Sequence, residues 1–323
     1  MRWSIDFPIS ESRFPISHQS TILSMGSCFA QTIGQKMRDT KFDILVNPFG
    51  TIFHPLNLAD LLAQSLDLLP MDESGILERD DCFFHYHSHS DISGKTGAEL
   101  RENFRKQQRS AHEYLKSGSH LILTLGTSWI YELGEFGRVA NCHKQPQKSF
   151  EKRLSPIEEM EEGLSKVLKE IQIQNPQLKI ILTVSPVRHI KDGIPENHLS
   201  KSMLRVLCAN LERRMDVVSY FPAYEIMMDE LRDYRFYKSD LIHPTEEAEN
   251  YVWEKWQRSI FAKATQEKVT EIEKIRMDLA HRPFNPESPS HRKFLQNLLA
   301  KLERLDGEFD FSKEIEQVKI QIK

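Results

Sequence analysis

The strongest constraint on this chain is a pattern that repeats: a short apolar run, a loop, then an amphipathic helix. Five runs read as buried strands: 21–25 (TILSM), 42–46 (FDILV), 120–125 (HLILTL), 179–184 (KIILTV) and 217–221 (VVSYF). Short aliphatic runs of this kind suit strands covered on both faces, as in a parallel sheet. Between and after them a helical period is predicted over 29–37, 56–66, 96–116, 155–173, 197–216, 224–231 and 245–261. Asn57 offers an N-cap to the second of these, and Ser155-Pro156-Ile157-Glu158 reads as a capping box for the fourth. The segments 129–133 and 138–140, with Gly134 and Gly137 between them, predict a small hairpin, and 70–95 is loop-rich with an extended piece over 82–89. Strands alternating with helices predict an α/β fold of three layers around a mainly parallel, five-stranded sheet.

This sheet domain is expected over 21–261, after an irregular arm at 1–20 that carries Pro8 and Pro15. Residues 262–323 are rich in Lys and Glu and contain a Pro/Ser/His linker at 282–291. They predict two or three helices, an appendage that packs on the domain or contacts a protein partner. A net charge of −4 gives no bulk attraction to nucleic acid or to an anionic membrane. Cys28, Cys82, Cys142 and Cys208 are widely spaced and form no CxxC pair, which points to free thiols in the cytoplasm. No apolar run approaches a membrane span, and the first residues lack the apolar centre of a signal peptide.

In open parallel sheets, ligands sit beyond the carboxyl ends of the strands. The loops at that edge carry the unusual chemistry here. Gly26-Ser27-Cys28 lies where the first strand turns into a helix, so a thiol or hydroxyl there faces outward beside unpaired helix N–H groups. A thiol so placed is expected to lose its proton more easily than a free cysteine. Ser27 is the alternative nucleophile, or else an N-cap. Ser239-Asp240-Leu241-Ile242-His243-Pro244 puts a carboxylate and an imidazole three positions apart, the arrangement of an oriented general base. Arg188 and His189 at a strand end suit an anionic substrate group, and Thr127 and Trp129 suit a pocket wall. At strand period His85, His87 and His89 share a face, yet no carboxylate or cysteine completes a ligand set. No metal is expected, and His87 is read as lining a substrate pocket.

These motifs resemble a known family. Gly26-Ser27-Cys28-Phe29-Ala30 is similar to the signature of the GSCFA-domain proteins. Asn47-Pro48-Phe49-Gly50-Thr51, Leu125-Gly126-Thr127, 184–189 (VSPVRH), 233–237 (DYRFY) and 240–244 (DLIHP) resemble its further blocks, in order over about residues 20 to 260. That family is grouped with the SGNH, or GDSL-like, hydrolases. The resemblance implies a flavodoxin-like sheet, a nucleophile after the first strand, and Asp240 and His243 as its late pair. It also implies oxyanion donors at Gly50, Gly126 and the Ser128 position. Two residues depart from the superfamily pattern: Cys28 stands where its serine nucleophile belongs, and Ser128 where an asparagine donor belongs. The implied activity is ester hydrolysis or acyl transfer on a small-molecule or glycan ester, with no cofactor. A non-catalytic module that binds a glycan or a protein is the alternative.

Overall fold

A computed structural model describes residues 7–322; the first six residues of the predicted arm and Lys323 lie outside the described residues. Five strands form a wholly parallel central sheet: β1 (Thr21–Gly26), β2 (Asp43–Val46), β5 (His120–Leu125), β9 (Lys179–Val184) and β10 (Val218–Phe221). Their spatial order is β10-β9-β5-β1-β2. Chain order therefore reverses between β1 and β5, as in flavodoxin-like folds, and the crevice at that switch point is the default ligand site.

Helices cover both faces. On one lie α2 (Pro55–Ser65), α3 (Gly97–Ser117), α4 (Ile157–Gln174) and α5 (Ile194–Arg214). On the other lie α1 (Cys28–Asp39), the short α6 (Ala223–Glu225) with a π-helical turn at Ile226–Glu230, and α7 (Glu246–Ile260). The period-2 alternation of each strand sorts its side chains between the two cores. Leu23, Leu121, Leu123, Ile180 and Leu182 face α2–α5, whereas Ile22, Ile122 and Ile181 face α1 and α7.

Two small antiparallel units lie outside the main sheet. One pairs β3 (Ile76–Arg79) with β4 (Cys82–His85); the other is a three-stranded sheet of β6 (Trp129–Leu133), β7 (Gly137–Val139) and β8 (Glu151–Leu154). The predicted hairpin gains β8, whose Glu-Lys-Arg-Leu sequence hides the strand because its charges pair across the sheet, Arg153 with Glu132 and Glu159. The extended segment stops at His85, and the chain then turns, so His85, His87 and His89 do not share a strand face.

Three helix boundaries also differ from expectation. His54, not Asn57, caps α2 by accepting the Leu56 N–H, while Asn57 donates to the Val139 carbonyl. Ser155 does not cap α4; its N–H is tied to the Ser128 carbonyl and its Oγ to Arg153, so Pro156 takes the cap position. Helix α5 starts three residues early, at Ile194, where Pro195 supplies a backbone already set for a first turn.

The C-terminal segment forms α8 (Lys263–Ala280), α9 (Pro289–Leu305) and α10 (Ser312–Ile322) around their own apolar core, including Ile275, Leu298, Leu302 and Phe311. It is fastened to the end of α1 by Arg276–Asp39 and Lys41–Glu314 ion pairs, both at 2.6 Å, and by Phe309 against the His18 ring. Among the described residues no helix is long and apolar enough to cross a membrane.

One glycine is indispensable to the switch point. Gly26 has φ +144°, and a Cβ there would lie 2.2 Å from the Thr124 carbonyl oxygen of the neighbouring strand. Gly26→Ala should therefore cost about 2 kcal/mol or more in urea unfolding. Gly307→Ala, at a position with open space, should cost far less; equal midpoints for the two variants would refute the close-approach argument.

Candidate active site

Strand β1 ends at Gly26, and Ser27 turns the chain into α1. Its φ of −69° and ψ of 176° are those of an N-cap, and its Oγ accepts the Phe29 N–H at 3.2 Å. The Ser27 N–H is also committed, to the Thr124 carbonyl at 3.1 Å, and the residue is fully buried. Cys28 thus becomes the first residue of α1 and lies half-buried at the switch point. The loop after β2 braces this corner: the Asn47 Oδ1 accepts the Gly26 N–H at 2.9 Å.

The second part of the site comes from the turn before α7. One oxygen of Asp240 accepts the backbone N–H groups of Ile242 and His243, at 2.9 and 3.0 Å. Its other oxygen lies 2.7 Å from Nδ1 of His243. An ionised carboxylate only accepts, so Nδ1 carries a proton, and in the neutral ring the lone pair is on Nε2. That Nε2 lies 3.9 Å from the Cys28 Sγ. The turn is held from outside by the Arg188 N–H on the Ile242 carbonyl and by the Lys238 N–H on the His243 carbonyl. The structure thus aligns Cys28, His243 and Asp240.

Electrostatics bear differently on the two ends of this alignment. The His243 backbone N–H, the His243 ring and the Ile242 N–H hold the Asp240 carboxyl well below the usual carboxylate range. Cys28 does not show the easier ionisation expected of a thiol at a helix start, because burial pushes it up. Its own N–H, at the helix start, and Lys201 pull the other way but do not prevail, and Glu249 adds to the rise.

The donors expected for an oxyanion are already occupied. The Gly50 N–H goes to the Asn47 carbonyl and the Gly126 N–H to the Phe53 carbonyl, both at 2.8 Å. Ser128 gives its N–H to the Ser200 Oγ at 2.7 Å and its hydroxyl to the Ser200 carbonyl at 3.0 Å. All three positions serve loop packing instead. At Gly50, with φ +75°, a Cβ would fall 2.3 Å from the Cβ of His89.

A cavity of about 320 Å³ is lined by Phe53, Thr127, Trp129, Tyr131, Lys152 and His189, among others. The buried Trp129 Nε1 and His189 Nε2 have no protein partner among the described residues. Burial, with the charges of Lys201 and His243, pushes the His189 ring down to about 3, so it stays neutral. His189 therefore lies within electrostatic reach of His243 as well as lining the cavity.

Two expected residues are elsewhere. His87 accompanies Gln64 in a different cavity of about 720 Å³, which no other predicted site residue lines. Arg188 stacks its guanidinium 3.9 Å from the centre of the Tyr237 ring, so it packs against the turn bearing His243 rather than awaiting an anion.

Three residues on the first turns of α5 were not foreseen. Asn197 accepts the His189 N–H at 2.8 Å, and Ser200 holds Thr127 and Ser128. Fully buried Lys201 bonds the carbonyls of Gly126 and Ser185, at 2.6 and 2.8 Å. A signal was present: all three continue the buried stripe of Leu204, Leu207, Cys208 and Leu211, where a lysine is out of place.

The fold and the site define a flavodoxin-like α/β protein with a thiol, an imidazole and a carboxylate aligned at its switch point. The chain belongs to the GSCFA family: that family's model matches residues 21–256, and the model for the C-terminal domain of GSCFA domain proteins matches 272–323. No curated protein and no solved structure matches it.

The depressed Asp240 carboxyl has a direct consequence. A group whose folded value lies below its unfolded one keeps its bonds as pH falls, until pH passes the folded value. In a carbon-detected NMR titration, the Asp240 carboxyl should show no step near pH 4, where ordinary aspartates titrate at about 3.9. A step there would mean that the turn does not hold the carboxylate.

Proposed function

We propose that this protein is an SGNH-like acyl-ester hydrolase or acyltransferase, acting through a covalent acyl-enzyme on Cys28. The observation that carries this reading is the line from Cys28 Sγ through both His243 nitrogens to Asp240. Hydrogen bonds of a resting site commonly tighten when substrate binds, so a 3.9 Å approach is compatible with proton transfer. Ser27 is disfavoured as nucleophile because it is buried and its oxygen caps α1.

In this reading His243 Nε2 takes the thiol proton as sulfur attacks the acyl carbonyl carbon. The carbonyl electron pair moves to oxygen, beside the N–H of Cys28 at the start of α1. Collapse re-forms the carbonyl and breaks the bond to the leaving oxygen, which takes the proton from the imidazolium. Water, deprotonated by His243, then attacks the thioester; the bond to sulfur breaks, the acid is released, and the Cys28 sulfur recovers a proton from the imidazolium. A sugar hydroxyl in place of water gives acyl transfer. The cavity behind His189, with aromatic walls and two unpartnered polar atoms, suits a small polar acylated group such as a sugar ester. None of these steps calls for a cofactor. A cytoplasmic location and a protein contact through the C-terminal helices belong to the same proposal.

One observation favours the second reading, a non-catalytic glycan- or protein-binding module: Gly50, Gly126 and Ser128 offer no free oxyanion donor. Incubation with p-nitrophenyl esters of graded acyl length, followed by intact-mass analysis, separates the two. The enzyme reading expects an acyl adduct that Cys28→Ala abolishes and that forms about 10²–10⁴-fold more slowly in His243→Ala. An adduct surviving Cys28→Ala but lost in Ser27→Ala would move the nucleophile. The absence of any adduct across the series favours the binding module.

A further inference from the structure

Lys201 is buried more completely than any charged group can comfortably be. Its side chain leaves the inner face of α5, enters the core beneath the carboxyl ends of β5 and β9, and is 1% exposed. Its Nζ donates to the Gly126 carbonyl at 2.6 Å and to the Ser185 carbonyl at 2.8 Å, tying together the ends of two adjacent central strands. Bonds this short are typical of an ammonium, yet two neutral carbonyls do not cancel a whole charge. Among the described residues no carboxylate pairs with it. Lys201 and Cys28 are anchored at the same end of β5, one through its Nζ on the Gly126 carbonyl, the other through the N–H of the preceding Ser27 on the Thr124 carbonyl. Burial pushes the ammonium down to about 7, and a negative Cys28 pulls it back up. Reciprocally, Lys201 opposes the burial that raises the Cys28 thiol. A buried cation without an anion is costly, and an anion forming at Cys28 would relieve that cost.

We propose that Lys201 is the counter-ion of the Cys28 site, a positioning residue whose buried ammonium compensates the negative charge that forms on the sulfur. The inference deepens the reading of Cys28 as nucleophile and rests on it. It also gives a role to a residue that touches neither His243 nor Asp240. The two strand-end carbonyls fix where the charge sits, so compensation requires no side-chain rearrangement when the thiolate appears. It also explains how a thiol lifted by burial could still ionise: a fixed ammonium offsets the cost of the charge on sulfur while His243 takes the proton.

The test follows alkylation of Cys28 by iodoacetamide against pH, in the full chain with Cys82 and Cys142 changed to Ala and with modification mapped to residue 28. The groups facing the sulfur are Lys201 from α5, His243 and Lys238 from the turn, and Glu249 from α7. Those facing Lys201 are Cys28, His189 and the Tyr224 ring. Lys201→Met removes the charge and keeps apolar volume. Its alkylation midpoint should move up by about one pH unit, giving roughly tenfold slower labelling at a fixed pH below the midpoint. Lys201→Arg should restore most of the wild-type profile. An unchanged midpoint in a folded Lys201→Met protein overturns the proposal, because a merely structural lysine would alter stability and leave the profile in place.

His243→Ala, run in parallel, keeps the two readings apart. Sensitivity to His243 without sensitivity to Lys201 sinks the counter-ion and leaves the nucleophile reading; the converse outcome does the reverse. If Lys201→Met does not fold, the linkage is read from the other side. The Lys201 ε-carbon NMR signal should titrate at lower pH in Cys28→Ser, which cannot form the anion, than in the otherwise unaltered protein. Identical midpoints overturn the proposal.

Discussion

Everything at the site depends on the pairing of β1 with β5, the two strands between which the chain reverses its order. Gly26 lies against Thr124 so closely that no side chain fits between them. This contact lets the Ser27 N–H reach the Thr124 carbonyl, and that bond aims the first turn of α1 over the sheet edge. Had β1 ended with any Cβ here, the strand ends would separate and Cys28 would move with them. The site thus inherits its precision from a backbone contact in the most buried part of the sheet.

The opposite wall is organised by α5. Asn197, Ser200 and Lys201 each spend a buried polar group on a different loop: the one after β9, the one after β5, and the two strand ends together. Buried polar groups must be satisfied, so these bonds are costly to break and hold the loops in one arrangement. The Cys28 side and the α5 side meet at Gly126, whose N–H goes to Phe53 while its carbonyl goes to Lys201. A glycine flanked in this way is a structural junction. That explains why its N–H is not free to face a substrate.

The sheet was legible in the sequence because buried parallel strands are nearly pure aliphatic runs, and His120–Leu125 and Lys179–Val184 have little other use. The alignment of Asp240 with His243 was legible too, since a spacing of three across a turn is a local matter. What could not be read was everything decided by tertiary burial. Nothing near Cys28 in the chain signals that desolvation outweighs the helix N-terminus there. Glu151–Leu154 conceals a strand because its charges find partners 21 residues back and six ahead. The oxyanion assignment to Gly50, Gly126 and Ser128 failed for a similar reason: a backbone N–H carries no sequence mark of its partner.

The contrast between the two ends of the aligned groups bears on direction. The His243 and Asp240 side chains are 42% and 45% exposed, whereas Lys201 is enclosed and Cys28 lies between them. A proton leaving the sulfur toward His243 therefore moves toward water, where an imidazolium is well solvated and can exchange. A proton moving toward Lys201 would enter a closed space with two carbonyls and no exit. In the proposed roles the mobile acid–base group stands outside and the fixed charge inside, which separates two tasks that one residue could not perform together. Helix-terminus effects are worth roughly 0.3–1 kcal/mol at exposed positions, and one pH unit of acidity corresponds to about 1.4 kcal/mol. The start of α1 alone is thus too weak to overcome substantial burial of the thiol, and Lys201, which pulls in the same direction, does not overcome it in the resting site either.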